Sequence, residues 1–325
     1  MKTEAIIIQQ TGGPEVLQWR DWDLPEPGKG EVLLRHTAIG LNFIDTYFRS
    51  GLYPLAALPT VLGNEAAGVV EAVGEAVSDL AVGDRVAYAS GMGAYARHRI
   101  HKAAELVKLP DGISDETAAA LLLKGMTVQY LFKSSYSVQQ GEPILFHAAA
   151  GGVGLIACQW ARALGVRLIG TVGSDAKAAL AQAAGAAEVI NYEAEDFVAR
   201  TQQLTDQEGV PVVYDSVGQR TFLPSLDCLR VRGTLVSFGQ SSGPVAPLDI
   251  GLLNQKGSLY VQRPSLFAHI ATKAALNRVA GDLFAQVQSG AIEANIGQRF
   301  PLEEAAEAQR ALEARATQGA TILLP

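Results

Sequence analysis

Two rhythms of apolar residues divide the chain. In the first third, short β-branched runs alternate with Gly- and Pro-rich turns. Residues 31–38, 68–73 and 84–88 read as strands, separated by turns such as Val82-Gly83-Asp84. Short strands with regular turns predict a small β-barrel-like domain. From residue 115 the chain becomes Ala- and Leu-rich, which predicts a helix over 115–123 capped by Ser114 or Asp115. After Gly141, strands at 143–149, 167–172, 187–191, 211–215 and 233–238 alternate with helices at 153–164, 175–184, 194–204 and 220–229. That alternation means right-handed βαβ units and a parallel sheet. A sixth strand, Ser258-Leu259-Tyr260-Val261, is expected to end the sheet. The tail predicts two amphipathic helices, 272–289 and 302–314, and a closing strand over 321–324. With the tail assigned to the first domain, the α/β domain is an insertion. The expected division is 1–125 completed by 265–325, against 126–264.

Within the second rhythm, the run Ala148-Ala149-Ala150-Gly151-Gly152-Val153-Gly154 follows the apolar strand Ile144-Leu145-Phe146 and precedes the helical stretch from Leu155. A strand, a Gly-rich turn and a helix are the context that makes a glycine cluster a dinucleotide site. Gly151 is expected to take a turn at positive φ. Gly152 and Val153 offer backbone N–H groups at a helix N-terminus, where an anion is favoured. Gly154 lets the helix pack close to the strand. Ala149 stands where the first glycine of G-x-G-x-x-G is expected.

The next strand decides which dinucleotide. NAD sites place an acidic residue at its end, on the ribose 2′-hydroxyl. Here Val172 holds that place, and Asp175 comes later, in the position of a helix N-cap. Ser174 and Lys177 offer a hydroxyl and an ammonium where a 2′-phosphate would sit. A carboxylate there would repel that phosphate. The expected cofactor is therefore NADPH.

Composition narrows the partners. Of 325 residues, 48% are hydrophobic and 18% charged, enough apolar material for sizeable cores and unlike a disordered chain. The net charge of −7 and the absence of a basic stripe argue against nucleic acid. Two cysteines, Cys158 and Cys228, provide neither a disulfide framework nor a four-cysteine zinc site. The apolar stretch Ala5 to Ile8 is too short for a signal-peptide core, so a cytoplasmic protein is expected. The uncharged run from Pro143 to Ala161 has a membrane-like length, but His147, the glycines and Gln159 make it a buried strand, turn and helix.

Taken with their surroundings, these residues resemble the bacterial quinone oxidoreductases of the zeta-crystallin branch of the medium-chain dehydrogenase/reductase superfamily. The resemblance spans essentially the whole chain. It rests on Gly40-Leu41-Asn42-Phe43-Ile44-Asp45-Thr46-Tyr47, Gly51-Leu52-Tyr53-Pro54, Lys124-Gly125-Met126-Thr127, the loop at 149–154, Tyr214-Asp215-Ser216-Val217-Gly218 and Arg315-Ala316-Thr317-Gln318-Gly319. It implies a Rossmann doubly wound parallel sheet inserted into a GroES-like, β-barrel-containing catalytic domain. It places Asn42, Asp45 and Tyr47 near the nicotinamide, with Thr127 approaching from the helix after residue 115. It sets Tyr192 beside Gly173, Ser174 and Lys177 around the 2′-phosphate. Ser216, Phe238, Gly239, Ser241 and Arg263 would bind from the far half of the sheet, and Arg315 from the tail. It also implies a homodimer, consistent with an apolar edge strand near 258–261 that invites a symmetry mate.

Zinc alcohol dehydrogenases share this architecture. Catalytic zinc needs three protein ligands. In Gly63-Asn64-Glu65-Ala66-Ala67-Gly68, Asn64 stands where their ligand histidine would be, and no cysteine lies near Asp45. No metal is expected, so the acceptor must be intrinsically electrophilic, as a quinone is. The expected reaction passes reducing equivalents from nicotinamide C4 to the quinone. Hydroquinones are phenols with pKa near 10, so water can finish the protonation. The protein's work is then positioning, exclusion of water and an apolar slot for a flat ring. Tyr47 and Tyr53 are the candidates for that slot, and Asn42, Tyr47 and Tyr53 the candidate catalytic residues. Two rivals stand beside this reading: an NADPH-dependent reductase of enals or enones, and a structural or RNA-binding crystallin-like protein.

Overall fold

The computed structural model describes residues 1–325. The chain divides into two compact units. One comprises Met1–Lys124, Ile270–Gln288 and Ala294–Pro325; the other comprises Gly125–His269 and Ser289–Glu293. The expected divisions lay at 125/126 and 264/265; these fall at 124/125 and 269/270, and the short return at 289–293 was not anticipated.

The first unit opens with β1 (Lys2–Ile8), β2 (Gln18–Asp23), β3 (Glu31–Leu41), α1 (Phe43–Ser50), β4 (Thr60–Val61), β5 (Glu65–Val73), β6 (Arg85–Tyr88), β7 (His98–Lys102), β8 (Val107–Lys108) and α2 (Asp115–Tyr130), inside which the division falls. The second carries β9 (Pro143–Phe146), α3 (Gly152–Leu164), β10 (Arg167–Val172), α4 (Asp175–Ala184), β11 (Glu188–Asn191), α5 (Phe197–Leu204), β12 (Val210–Asp215), α6 (Phe222–Ser225), β13 (Leu229–Ser237), α7 (Gly251–Gln255), β14 (Tyr260–Gln262) and α8 (Leu266–His269). The tail, α9 (Lys273–Gln288), β15 (Ile296–Pro301), α10 (Ala305–Glu313) and β16 (Ala320–Leu324), belongs mainly to the first unit.

In the first unit, strands in the order β15-β16-β3-β5-β6-β8 form one sheet, with β7 also paired to β3, and β2-β1-β4 form a smaller one. β3 shows why: Val32, Leu34, His36 and Ala38 turn inward in strict alternation, while Leu33, Arg35 and Thr37 do not. Ile6, Ile8, Leu34, Leu62, Tyr88, Tyr95 and Leu323 fill the core between the sheets. His36 is buried there. Its Nδ1–H donates to the Ala96 carbonyl (2.6 Å) and the Tyr88 hydroxyl donates to its Nε2 (2.9 Å). Burial lowers its pKa to about 3, so the ring stays neutral.

In the second unit all pairings are parallel, in the order β11-β10-β9-β12-β13-β14. Its central strands β9, β10 and β12 are largely apolar on both faces because helices cover both faces. Val210 to Asp215 of β12 is buried at every position.

Several expectations were displaced. The strand expected over 143–149 ends at Phe146, because the chain turns at His147. The helix expected over 220–229 is one turn, Phe222–Ser225, followed by a tight turn at Leu226–Cys228; Pro224 fits only a first helical turn, and β13 begins at Leu229. The edge strand lies two residues later than its expected start, at Tyr260–Gln262. α2 runs through Gly125 to Tyr130 because Met126, Val128 and Tyr130 are buried. No helix is long and apolar enough to cross a membrane.

Candidate functional site

The glycine loop sits at the mouth of the parallel sheet. α3 starts at Gly152 with Gly151 as N-cap, and no side chain caps it. The first-turn N–H groups of Gly152 and Val153 thus have no partner within the helix, the arrangement that receives an anion. Gly151 does not take positive φ as expected; it lies at −78°, and Ala148 carries the left-handed residue instead, at φ 55°. That turn is closed by the Gly151 N–H on the Ala148 carbonyl (2.9 Å). A Cβ on Gly154 would stand 2.3 Å from the Ala148 carbonyl oxygen, so α3 comes within backbone contact of the loop only at glycine. The alanine at the first glycine position is accommodated by β10: a Cβ on Gly170 would meet the Ala149 Cβ at 2.6 Å.

At the end of β10 the residues expected around a 2′-phosphate are together. Ser174, rather than Asp175, caps α4 by accepting from the Lys177 N–H (3.3 Å). Asp175 instead accepts from the Asn191 amide (2.8 Å). Tyr192 overhangs Gly173, where a Cβ would lie 2.8 Å from its hydroxyl. Lys177 and Tyr192 are half-buried. Across the sheet, a Cβ on Gly239 would lie 2.7 Å from the Ser216 carbonyl, and the Ser241 N–H donates to that same oxygen (3.1 Å). The Phe238 ring packs on Phe146 with centroids 5.7 Å apart. Arg263, exposed, donates to the Ser237 carbonyl (2.9 Å).

In the first unit, α1 and the residues flanking it carry the candidate substrate residues. The Asn42 backbone N–H donates to Asp45 Oδ2 (2.9 Å), half of a capping box that fixes the start of the helix. Tyr47 and Tyr53 meet edge to face with centroids 5.2 Å apart, and Phe48 packs on Tyr53 at 5.6 Å. Asp45 is fully buried, accepting also from the Asn64 amide (2.8 Å) and the Tyr95 hydroxyl (2.9 Å). Burial raises its pKa to about 6 against the pull of these donors and of Lys124. A carboxyl so enclosed acts on a ligand through the residues it holds. The Asn42 amide donates to Glu65 (2.8 Å), whose other oxygen accepts from the Leu123 N–H (2.6 Å). Thr127 is buried on α2, and Arg315 is exposed after α10.

Sequence reasoning missed Tyr95, Arg49 and Gln309 entirely. Buried Arg49 pairs with Glu313 (2.6 Å) and donates to Gln309 (2.7 Å), which reaches Tyr95 and thus Asp45.

Two family models match parts of the chain: an alcohol dehydrogenase GroES-like domain matches residues 28–111 and a zinc-binding dehydrogenase matches 152–279. A quinone oxidoreductase of Pseudomonas aeruginosa is 56% identical over 97% of each chain. The chain belongs to the quinone oxidoreductase family of medium-chain dehydrogenases/reductases. The solved structure of Escherichia coli quinone oxidoreductase complexed with NADPH shares the fold at a TM-score of 0.98 and 51% identity, covering 99% of this chain and 100% of that one. A 2-haloacrylate reductase of a Burkholderia species is more distant, at 41% identity over 99% of this chain and 98% of its own.

The zinc in the second model's description does not suit the residues present. No three His, Cys, Asp or Glu side chains converge to hold a metal. Asn64 turns an N–H donor, not a lone pair, toward Asp45. Cys158 and Cys228 are buried, with thiols pushed up to about 12.

Proposed function

We propose that the chain is an NADPH-dependent, zinc-independent quinone reductase. The observation that carries this is the amide of Asn64 bonded to Asp45 where a zinc ligand would stand. Lacking a metal to polarise a carbonyl, the site suits an acceptor that is already electrophilic. The relatives named quinone oxidoreductase support the substrate class. When bound, NADPH supplies reducing equivalents from C4 of its nicotinamide. Gly151, Gly152 and Val153 hold the pyrophosphate, and Gly173, Ser174, Lys177 and Tyr192 receive the 2′-phosphate. Thr127, Ser216, Phe238, Gly239, Ser241, Arg263 and Arg315 complete the cofactor's contacts. Asn42 orients the reacting ring, Asp45 fixes Asn42, and Tyr47 with Tyr53 forms the apolar slot for the quinone. Water completes protonation, so no strong acid is required of these residues.

The test is a steady-state comparison of NADPH and NADH, each with 1,4-benzoquinone and with a cyclic enone. Benzoquinone with NADPH should turn over fastest. Lys177→Ala should raise the KM for NADPH about tenfold, the worth of one charge-assisted hydrogen bond, and leave that for NADH unchanged. An unchanged KM for NADPH would remove Lys177 from the phosphate site; preference for the enone would make the enzyme an alkene reductase.

Free Cys158 and Cys228 suit a reducing compartment, so the enzyme is assigned to the cytoplasm. A homodimer completes the reading: β14 edges the sheet and Tyr260 is 55% exposed on it, open to pairing with a second copy. Light scattering at micromolar concentration should give twice the chain mass, and a monomeric mass would exclude this pairing.

A further inference from the structure

The chain enters the glycine loop through His147, a fully buried residue that the proposed reaction does not use. The sheet order places β9 between β10 and β12, and the crevice between the loops after β9 and β12 is the topological switch point where such sheets bind nucleotides. Both loops are tied from below by one continuous set of hydrogen bonds. Asp215, at the end of β12, accepts from the N–H groups of Val217 (2.7 Å) and Gly218 (3.1 Å) and from the Thr221 hydroxyl (2.8 Å). The Thr221 carbonyl accepts from the Ser225 hydroxyl (2.6 Å). Ser225 has no second hydrogen, so at 2.8 Å its oxygen accepts from His147 Nε2–H. His147 Nδ1 is therefore an acceptor, filled by the Thr171 hydroxyl of β10 (2.8 Å). The backbone repeats the connection: the His147 N–H donates to the Tyr214 carbonyl and the Ala149 N–H to the Thr171 carbonyl, each at 3.0 Å. Phe197 stands edge-on to the ring, with centroids 5.1 Å apart.

We propose that His147 is a positioning residue for the dinucleotide, the centre of a hydrogen-bonded strap, Thr171–His147–Ser225–Thr221–Asp215, that fixes the spacing of the two loops at the switch point. A side chain needed only for volume would present carbon here. This one has both ring nitrogens matched, in a single tautomer, to hydroxyls on different elements. The left-handed turn at Ala148 follows directly, and the α3 N–H groups that face the pyrophosphate follow that turn. Loosening the ring shifts those donors without touching them. The inference rests on the dinucleotide reading, but it concerns the pyrophosphate and so applies to NADPH and NADH alike.

That shared dependence is the test. Thr171→Val keeps the shape and removes the hydroxyl; Thr171→Ser keeps the hydroxyl; Ser225→Ala removes the other partner. Dissociation constants for NADPH and NADH are measured on the full chain by nucleotide fluorescence, with kcat and both KM values beside them. Thr171→Val and Ser225→Ala should each weaken both nucleotides about three- to tenfold, by the same factor for each. The kcat at saturating NADPH and the quinone KM should stay within about twofold, and Thr171→Ser should restore binding. The double variant should fall short of the product of the singles, because both act through one ring. If Ser225→Ala does not fold, the Thr171 pair decides alone. A Thr171→Val protein with a lowered melting temperature and unchanged nucleotide binding would reduce His147 to a core residue. A wild-type chain that binds NADH in preference to NADPH would instead overturn the cofactor assignment, and the strap would still be read on NADH.

Discussion

Replacing Gly154 by alanine will abolish tight dinucleotide binding. The substitution adds one carbon, and that carbon falls 2.3 Å from the Ala148 carbonyl oxygen and 2.6 Å from both the Cα and carbonyl carbon of Ala149. All three are backbone atoms of the loop itself, so no rotamer can relieve the clash. Either α3 slides away from the sheet or the turn at Ala148 opens. Both move the N–H groups of Gly152 and Val153 from the pyrophosphate. Overpacking of this kind costs about 1–3 kcal/mol in stability. The loss of affinity for NADPH should be larger, about a hundredfold or more, since the donors act as a set whose geometry is preformed. Gly151→Ala is the comparison for the fold. Gly151 lies at φ −78°, open to any residue, and its added carbon would sit 3.2 Å from the nearest backbone oxygen. Its melting temperature should stay near that of the wild type, and any loss of NADPH binding then comes from the carbon meeting the pyrophosphate this residue faces, not from a displaced helix. Fluorescence titration of both proteins decides the matter, and a Gly154→Ala protein that binds like wild type would mean that α3 need not approach the loop.

The contrast between these two glycines shows what was legible. The loop was readable because its signals are local: an apolar run buried on both faces, then glycines, then a helix. The close approach at Gly154 was readable as well, but the residue at positive φ was not. Positive φ fell to Ala148, whose neighbour Ala149 fits because Gly170, on a different strand, lacks a side chain. Ser174 and Lys177 were read from the same kind of local signal, since both follow the end of β10, whereas Tyr192 came from the resemblance alone. Much of the first unit was not. β1 shows only a short apolar run after three polar or charged residues, and its strand character comes from pairing with β2 and β4. The start of α1 is written in Asn42 and Asp45, a capping pair. The resemblance placed both near the nicotinamide, and capping the helix does not compete with that role. Arg49 and Gln309 bond to each other across 260 residues, and no pattern along the chain reports such a pair.

Asp45 is where that hidden network bears hardest on stability. Its carboxylate is the acceptor for Asn64, Tyr95 and the Asn42 backbone, all buried. Asp45→Ala would leave three donors without a partner at once. Each buried orphan costs about 1–3 kcal/mol, and the Asn64 and Tyr95 side chains can relax only partly among close-packed neighbours. A total of about 3–5 kcal/mol is expected, an unusually large effect for one substitution. Urea denaturation followed by circular dichroism would measure it, and a loss under about 1 kcal/mol would show that the network is not holding α1. Asp45→Asn separates charge from shape. Because burial raises the folded pKa to about 6, above the unfolded value near 4, Asp45 favours the fold most below pH 4 and loses that contribution as pH rises through 6. Between pH 7 and pH 5 the wild type therefore gains about 1 kcal/mol from this group that Asp45→Asn does not. Buried neutral His36 pulls the opposite way over the same range in both proteins, so the difference between the two stability curves isolates Asp45. Activity should follow the same group by another route. Loss of the carboxyl frees the Asn42 N–H, and with it the start of the helix that carries Tyr47. Asp45→Ala should then raise the quinone KM and lower kcat, while the dissociation constant for NADPH, set chiefly by the loops of the second unit, changes little.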